Sequence, residues 1–188
     1  MKKENVIKIV VPIILVCLVG TIWFVRDSEK QNLSSSNLIS NNSEKEDNLN
    51  VNNSDFELHV TEKIDLKKLK SYGIPIIIDF GADSCIPCKE MAPVLKELNE
   101  ELRGKAIVKF VDVWKYTSFA EGYPIEVIPT QIFIDKNGKP YTPKNPDEMK
   151  MLLYTDRTTN EHIFTAHKGG MKKDEILTAL REIGLADE

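Results

Sequence analysis

Cys85-Ile86-Pro87-Cys88 places two thiols one helical turn apart, directly after an apolar, strand-like run and at the head of an amphipathic, helix-like run. In that setting a Cys-x-x-Cys pair reads as a redox dithiol rather than a chance spacing. On the first turn of a helix the two sulfurs lie close together. The first sits nearest the free N–H groups and the positive end of the helix dipole, which favour an anion. The thiolate is the nucleophilic form of cysteine, so a lowered pKa activates it. On this reading Cys85 attacks and Cys88 resolves the mixed disulfide. Asp79, near the end of the apolar run, adds a carboxylate whose burial is costly unless it has a partner or a task.

The elements that must position these groups are legible. Pro75 to Phe80 has the continuous apolar character of a central parallel strand. Met91, Val94, Leu95, Leu98 and Leu102 recur at spacings of three and four, the period of a helix with one apolar face. Ser84 is the expected N-cap, Gly104 the expected stop, and Pro93 predicts a kink. Ala106 to Val113 reads as a second parallel strand and Thr130 to Ile134 as a third, ended by a turn at Asn137-Gly138. The last helix is expected over Asp174 to Ile183, with Gly184 as its stop. Strands alternating with helices argue for an α/β sandwich. Pro140, Pro143 and Pro146 make 140–148 a loop. Met149 to Tyr154 and His162 to Ala166 then pair as a hairpin around Arg157-Thr158-Thr159-Asn160, either a decoration of the sheet edge or a partner-docking insertion.

Length, charge and cysteine usage narrow the function. The chain has 188 residues, enough for one domain plus extras. Its net charge of −4 comes with no basic cluster, which argues against nucleic acid as a partner. There are three cysteines, and Cys17 lies in an apolar segment. The remainder of the chain therefore holds only the Cys85/Cys88 pair. A disulfide between them closes a tiny loop and contributes little as a staple, so chemistry is the better account of the pair. No further cofactor is called for: the disulfide itself carries the electrons.

Ile9 to Val25 is 17 residues without a charge, and about 20 apolar residues cross a bilayer core. Leu18-Val19-Gly20 is a poor cleavage site, so an uncleaved anchor is expected rather than a removed signal. Residues 1–26 form that anchor, with the transmembrane helix over about 6–25. Lys2, Lys3 and Lys8 on its N-terminal side place the short tail in the cytoplasm and the bulk of the chain outside the cell membrane. Residues 27–55 are dominated by Ser and Asn and read as a disordered linker, with a mean span of about 30 Å.

The run Asp79-Phe80-Gly81-Ala82-Asp83-Ser84-Cys85-Ile86-Pro87-Cys88-Lys89, with Pro93, Val127-Ile128-Pro129-Thr130 and Asn137-Gly138, resembles the thioredoxin superfamily over about residues 56–188. The resemblance implies a central mixed β-sheet flanked by helices, here with an inserted segment at about 140–160. It implies a thiol–disulfide oxidoreductase, with Cys85 as nucleophile, Cys88 as resolving cysteine and Asp79 moving the Cys88 proton through water. Pro129 matches the family's cis-proline and should lie beside Cys85. Ile86, Pro87, Ile128, Thr130 and Gly169 are then the substrate-binding positions, with the Ile128 backbone pairing to substrate as a short strand. Lys109 matches a lysine near the buried aspartate. Gly81 and Ser84 stand where thioredoxins usually carry tryptophans, and Ile86 where they usually carry glycine. These departures imply a narrower partner set and an exported, membrane-anchored relative.

Direction of electron flow follows from thiolate stability. The pair encloses Ile86-Pro87 with no histidine, and Asp83 lies two residues before Cys85, where its charge opposes a thiolate. A less stabilised thiolate makes a stronger reductant. The expected partners are protein disulfides as substrates and a membrane thiol electron donor. An exported oxidase or isomerase is the same chemistry reversed. A metal site using Cys85, Cys88, His162 and His167 is disfavoured, because the two histidines fall five apart in one strand and face opposite ways. A docking module that keeps the fold without catalysis sits poorly with the intact Asp79, Cys85, Cys88 and Pro129.

Overall fold

The structure is a computed structural model and describes residues 54–186. Five strands form one sheet: β1 (Ile76–Gly81), β2 (Ile107–Asp112), β3 (Thr130–Ile134), β4 (Met151–Thr155) and β5 (His162–Lys168). Their order is β2-β1-β3-β5-β4. β2 runs parallel to β1, while β3 pairs antiparallel to β1, β5 to β3 and β4 to β5. Three helices flank this mixed sheet: α1 (Leu66–Ser71), α2 (Ile86–Glu101) and α3 (Lys173–Glu182).

Strand alternation divides the core in two. On one face Ile77, Phe110 and Phe133 pack with Met91, Leu95 and Leu98 of α2 and with Ile176, Ala179 and Leu180 of α3. On the other, Ile76, Ile78, Phe80, Ile107 and Ile132 pack with Leu69 of α1 and with Phe56. Every residue of β1 is buried, as its central place dictates. Its four large apolar side chains each contribute about 2 kcal/mol by leaving water. β1 is therefore a rigid mount, and the dithiol hangs from its C-terminal end.

α2 starts one residue later than the sequence suggests. Cys85, not Ser84, is its N-cap, with extended backbone angles and a sulfur that accepts the Cys88 N–H. Pro87 in the first turn needs no backbone donor there and suits that start. The helix remains one element through Pro93 and ends before Gly104, whose φ of +83° is natural only to glycine. α3, by contrast, begins one residue earlier than expected, where the Lys172 N–H donates to Glu175 Oε2 at 2.7 Å.

The proline-rich stretch after Gly138 touches β3 at a single bridge, Pro140 opposite Ile134, with the Tyr141 N–H donating to Phe133 O at 3.2 Å. It then leaves the sheet and returns as the β4–β5 hairpin. The hairpin turn is closed by Asp156, which accepts the N–H groups of Thr158 and Thr159 at 2.8 Å each. β4 becomes the edge strand, burying Met151 and leaving Leu152 and Leu153 half-exposed. The strand boundaries are Met151–Thr155 and His162–Lys168 rather than 149–154 and 162–166. The expected membrane helix over 6–25, and the linker up to residue 53, lie outside the described residues. Among the described residues no helix is long and apolar enough to cross a membrane.

Candidate active site

Cys85 and Cys88 are joined by a disulfide at the N-terminus of α2. Both are largely buried, and they pack with Ala82 and with the half-buried Ile128. The Cys88 N–H points at Cys85 Sγ at 3.4 Å, so once the bond opens the first sulfur already faces a helix-end donor. Between the cysteines, Ile86 is 73% exposed and Pro87 is also exposed. The stretch between the two cysteines is thus apolar and uncharged.

The second wall is the turn before β3. The Ile128–Pro129 peptide is cis. Pro129 O accepts the Gly169 N–H at 2.8 Å, and Thr130 Oγ1 donates to Val127 O at 2.7 Å. These bonds tie the end of β5 and the start of β3 into one ledge. Gly169 has φ of +103°, and a side chain there would meet nothing, so its backbone and not crowding demands glycine.

Asp79 lies fully buried in β1 on the α2 side of the sheet. Burial pushes its carboxyl up to about 7, against the opposing pull of a hydrogen bond from Gln131. Gln131 Nε2 donates to Asp79 Oδ1 at 2.7 Å, while Oδ2 has no hydrogen-bond partner among the described residues. Gly81, two residues on, shows where Oδ2 points. A Cβ at that position would sit 3.4 Å from Asp79 Oδ2, 3.2 Å from Cys88 Sγ and 2.8 Å from Phe110 Cε2. The missing side chain leaves a gap shared by the free carboxylate oxygen and the resolving sulfur. Phe110 of β2 takes up the rest of that space. A cleft of about 1120 Å³ between the segment at 54–65 and α2 reaches Cys88, Ala82 and Phe110 from behind.

Lys109 is not beside Asp79. It alternates onto the opposite face of β2 from Phe110, and its ammonium donates to Glu57 O at 2.6 Å and Ser54 O at 3.1 Å. Burial pulls it down to about 8. The two histidines also part company. His162 Nε2 lies 2.8 Å from Thr165 Oγ1, whereas His167 Nδ1 lies 3.0 Å from Gln131 Oε1. Among the described residues no group of three or more His, Cys, Asp or Glu is placed to hold a metal ion.

Three polar residues escaped the sequence reading. Gln131 interrupts the apolar run of β3, a signal as plain as Asp79 in β1. His167 was visible only as a possible ligand. Asp112 closes β2 and fastens two loops at once: it accepts the Asp83 N–H at 3.1 Å and the Trp114 and Lys115 N–H groups at 3.0 Å each. Burial raises its carboxyl, but these backbone donors outweigh that and hold it below the usual carboxylate range. The loop ahead of Cys85 and the loop carrying the 63%-exposed Trp114 thus share one anchor.

A dithiol at a helix head, a cis-proline ledge and a buried carboxylate behind the second sulfur, on a mixed sheet of this order, define a thioredoxin-type site. The sequence model of the family described as Thioredoxin matches residues 50–154, more than half of the chain. Thioredoxin from Mycoplasmoides gallisepticum is 36% identical over 101 residues, covering 50% of this chain and 97% of that protein. Thioredoxin Y, chloroplastic, of Oryza sativa subsp. japonica is 50% identical over 66 residues, covering 35% of this chain and 39% of that protein. The chain thus spans only about two-fifths of the length of the plant relatives it matches. The crystal structure of chloroplastic thioredoxin z has 19% identity and a TM-score of 0.48, covering 69% of this chain and 95% of its own. The chain belongs to the thioredoxin family, whose members are thiol–disulfide oxidoreductases.

Proposed function

We propose that this protein is a membrane-tethered, extracytoplasmic thiol–disulfide oxidoreductase that runs as a reductase of protein disulfides. The observation that carries the chemistry is the Cys85–Cys88 disulfide with Asp79 Oδ2 and Cys88 Sγ facing one gap. In the reduced protein the Cys85 thiolate attacks one sulfur of a substrate disulfide. The Cys85–substrate bond forms, the substrate S–S bond breaks, and the other substrate sulfur leaves as a thiolate. Cys88 then gives its proton across the gap to Asp79 Oδ2 and attacks Cys85 Sγ. The Cys85–Cys88 bond forms and the second substrate thiolate departs, so two electrons pass from the dithiol to the substrate. Ile86, Pro87, Ile128 and Gly169 line the approach, whereas Thr130, expected among them, is fully buried and braces the turn from behind through its Oγ1–H to Val127 O; the Ile128 backbone offers the substrate a short strand partner.

The tethering rests on the uncharged run Ile9 to Val25 and the lysines before it. An exported reductase must be recharged, which calls for a membrane thiol donor. The direction rests on the absence of a stabilising histidine within the pair and on Asp83 close to Cys85. The test is the reduction potential of the full chain, titrated against defined thiol buffers. A value of about −270 mV or lower supports a reductase. A value near about −120 mV makes it an oxidant instead. The absence of a reversible two-electron couple rejects the oxidoreductase reading altogether.

A further inference from the structure

The register of the sheet aligns one row of residues across all five strands. Phe110 of β2 lies opposite Asp79 of β1, Asp79 opposite Gln131 of β3, Gln131 opposite His167 of β5, and His167 opposite Met151 of β4. Directly opposed side chains on one face of a sheet touch. The two ends of this row are apolar and sit in the core beneath α2 and α3. Its middle three members are polar and buried: Asp79 and Gln131 are fully inaccessible and His167 is 8% exposed.

The hydrogen bonds within the row run in one direction. A carboxylate is an acceptor only, so Gln131 turns its NH₂ to Asp79 and its carbonyl oxygen to His167. The carbonyl oxygen can be satisfied only by a donor, which places the imidazole proton on Nδ1. The chain is then His167 Nδ1–H to Gln131 Oε1 at 3.0 Å and Gln131 Nε2–H to Asp79 Oδ1 at 2.7 Å. Gln131 Nε2 also approaches Met91 Sδ at 3.5 Å, a weak acceptor that does not compete. Oδ1 is thereby occupied, and Oδ2 is left bare toward Cys88 Sγ.

Resting on the oxidoreductase reading above, we propose that Gln131 and His167 are positioning residues for the resolving step: His167 locks the Gln131 amide, and the locked amide favours the ionised form of Asp79 and leaves Oδ2 as the proton acceptor for Cys88. Neither residue touches the substrate. Their effect is confined to the second half of the exchange, after Cys85 has already reacted.

The other charged groups around the row are few. Toward Asp79, α2 presents the Cys88 sulfur, β2 presents Phe110, and Lys109 turns to the far face. Around His167, burial is the largest influence and pulls it below the usual imidazole range; Glu175 of α3 and the Gly169 backbone favour its charged form, and Lys150, ahead of β4, opposes it. Burial thus favours the neutral imidazole, and the bond to Gln131 Oε1 needs only that Nδ1 carry the proton, in either charge state.

The test uses the full chain with Cys17→Ser, so that only the pair reacts, and a nitrobenzoate disulfide whose released thiolate absorbs visible light. The reduced protein releases one thiolate when Cys85 attacks and a second when Cys88 resolves. Gln131→Met keeps length and removes the amide. His167→Leu removes the locking donor. His167→Asn keeps an N–H near the position of Nδ1. The pH midpoint of the second release should rise by about one to two pH units in Gln131→Met, the effect of losing a hydrogen bond to a charged acceptor. It should rise in the same direction in His167→Leu and return toward the parent value in His167→Asn, with the first release unchanged in all three. Unshifted second-release midpoints in Gln131→Met and His167→Leu overturn the proposal.

An independent readout is the infrared band of the protonated Asp79 carboxyl in the oxidised chain, identified by its loss in Asp79→Asn. Its titration midpoint should rise in Gln131→Met. If the parent protein gives no second release, the oxidoreductase reading fails, and an unmoved infrared midpoint separately rejects the row.

Discussion

Asp79→Asn should gain stability relative to the native oxidised protein as the pH rises from acid to alkaline, over a pH-independent offset. In the native protein the Asp79 carboxyl titrates at about 7, against 3.8 for an unperturbed aspartate, because burial penalises its charged form. That is a separation of roughly three decades in acid dissociation constant, or about 4 kcal/mol at about 1.36 kcal/mol per decade. The sign follows from proton linkage. The folded state holds this proton more tightly than the unfolded state, so the stability tied to it is full below about pH 4. It is lost as the pH rises through the folded value near 7. Asparagine keeps the oxygen that accepts from Gln131 and never ionises, so its own contribution does not vary with pH. The stabilities of the two proteins should therefore differ by a constant offset at pH 4 and diverge by about a further 4 kcal/mol at pH 8, an upper figure for a site that can relax. Urea unfolding of the disulfide form with Cys17→Ser as the common background measures this directly, since no thiol titrates there. A difference that stays flat from pH 4 to pH 8 would refute the claim that Asp79 is held in a desolvated, charge-averse site.

Three further outcomes follow from the geometry. Cys88→Ser should trap one equivalent of a disulfide-containing peptide on Cys85 as a stable mixed disulfide, visible by intact mass. An adduct that turns over would reassign the resolving thiol. Gly81→Ala should destabilise the protein by about 1–3 kcal/mol, because the new methyl meets Phe110 Cε2 at 2.8 Å, and should slow the second step by filling the gap beside Cys88. Adding Phe110→Leu should restore part of the stability, and a failure to do so would place the clash elsewhere. Asp112→Ala strips three backbone N–H groups of their acceptor and should cost about 1–3 kcal/mol near pH 7. Because the Asp112 pKa is depressed in the folded state, that cost should shrink as the pH falls through its folded value, which acid titration of the two proteins measures.

The parts legible in the sequence are those where one local rule dominates. The period of α2, the apolar run of β1 and the glycine stops at Gly104 and Gly184 each rest on a single pattern, and each element lies within a residue or two of its expected place. The cap of α2 moved from Ser84 to Cys85 because the residue three after Ser84 is Pro87, which has no N–H to give, whereas Cys85 finds the Cys88 N–H three residues on. What could not be read was pairing across strands. Gln131 and His167 lie far from Asp79 along the chain, and only the register β1–β3–β5 makes them neighbours. Lys109 failed for the same reason, since one step along a strand reverses the face. The proline-rich loop and its hairpin were readable from turn chemistry, but not that the hairpin would add β4 outside β5.

The anchoring of two loops on Asp112 has an optical consequence. The chain contains two tryptophans, Trp23 and Trp114, and only Trp114 lies among the described residues. Its indole is 63% exposed on a loop that shares a carboxylate with the residue two positions before Cys85. A docking segment that extends from the dithiol onto the loop anchored by Asp112 would displace water from that ring, and a disulfide quenches the emission of an indole that approaches it. With Trp23→Phe, the emission of a single native fluorophore would follow both redox state and occupancy of the site, and electron transfer could be timed in this protein without a label.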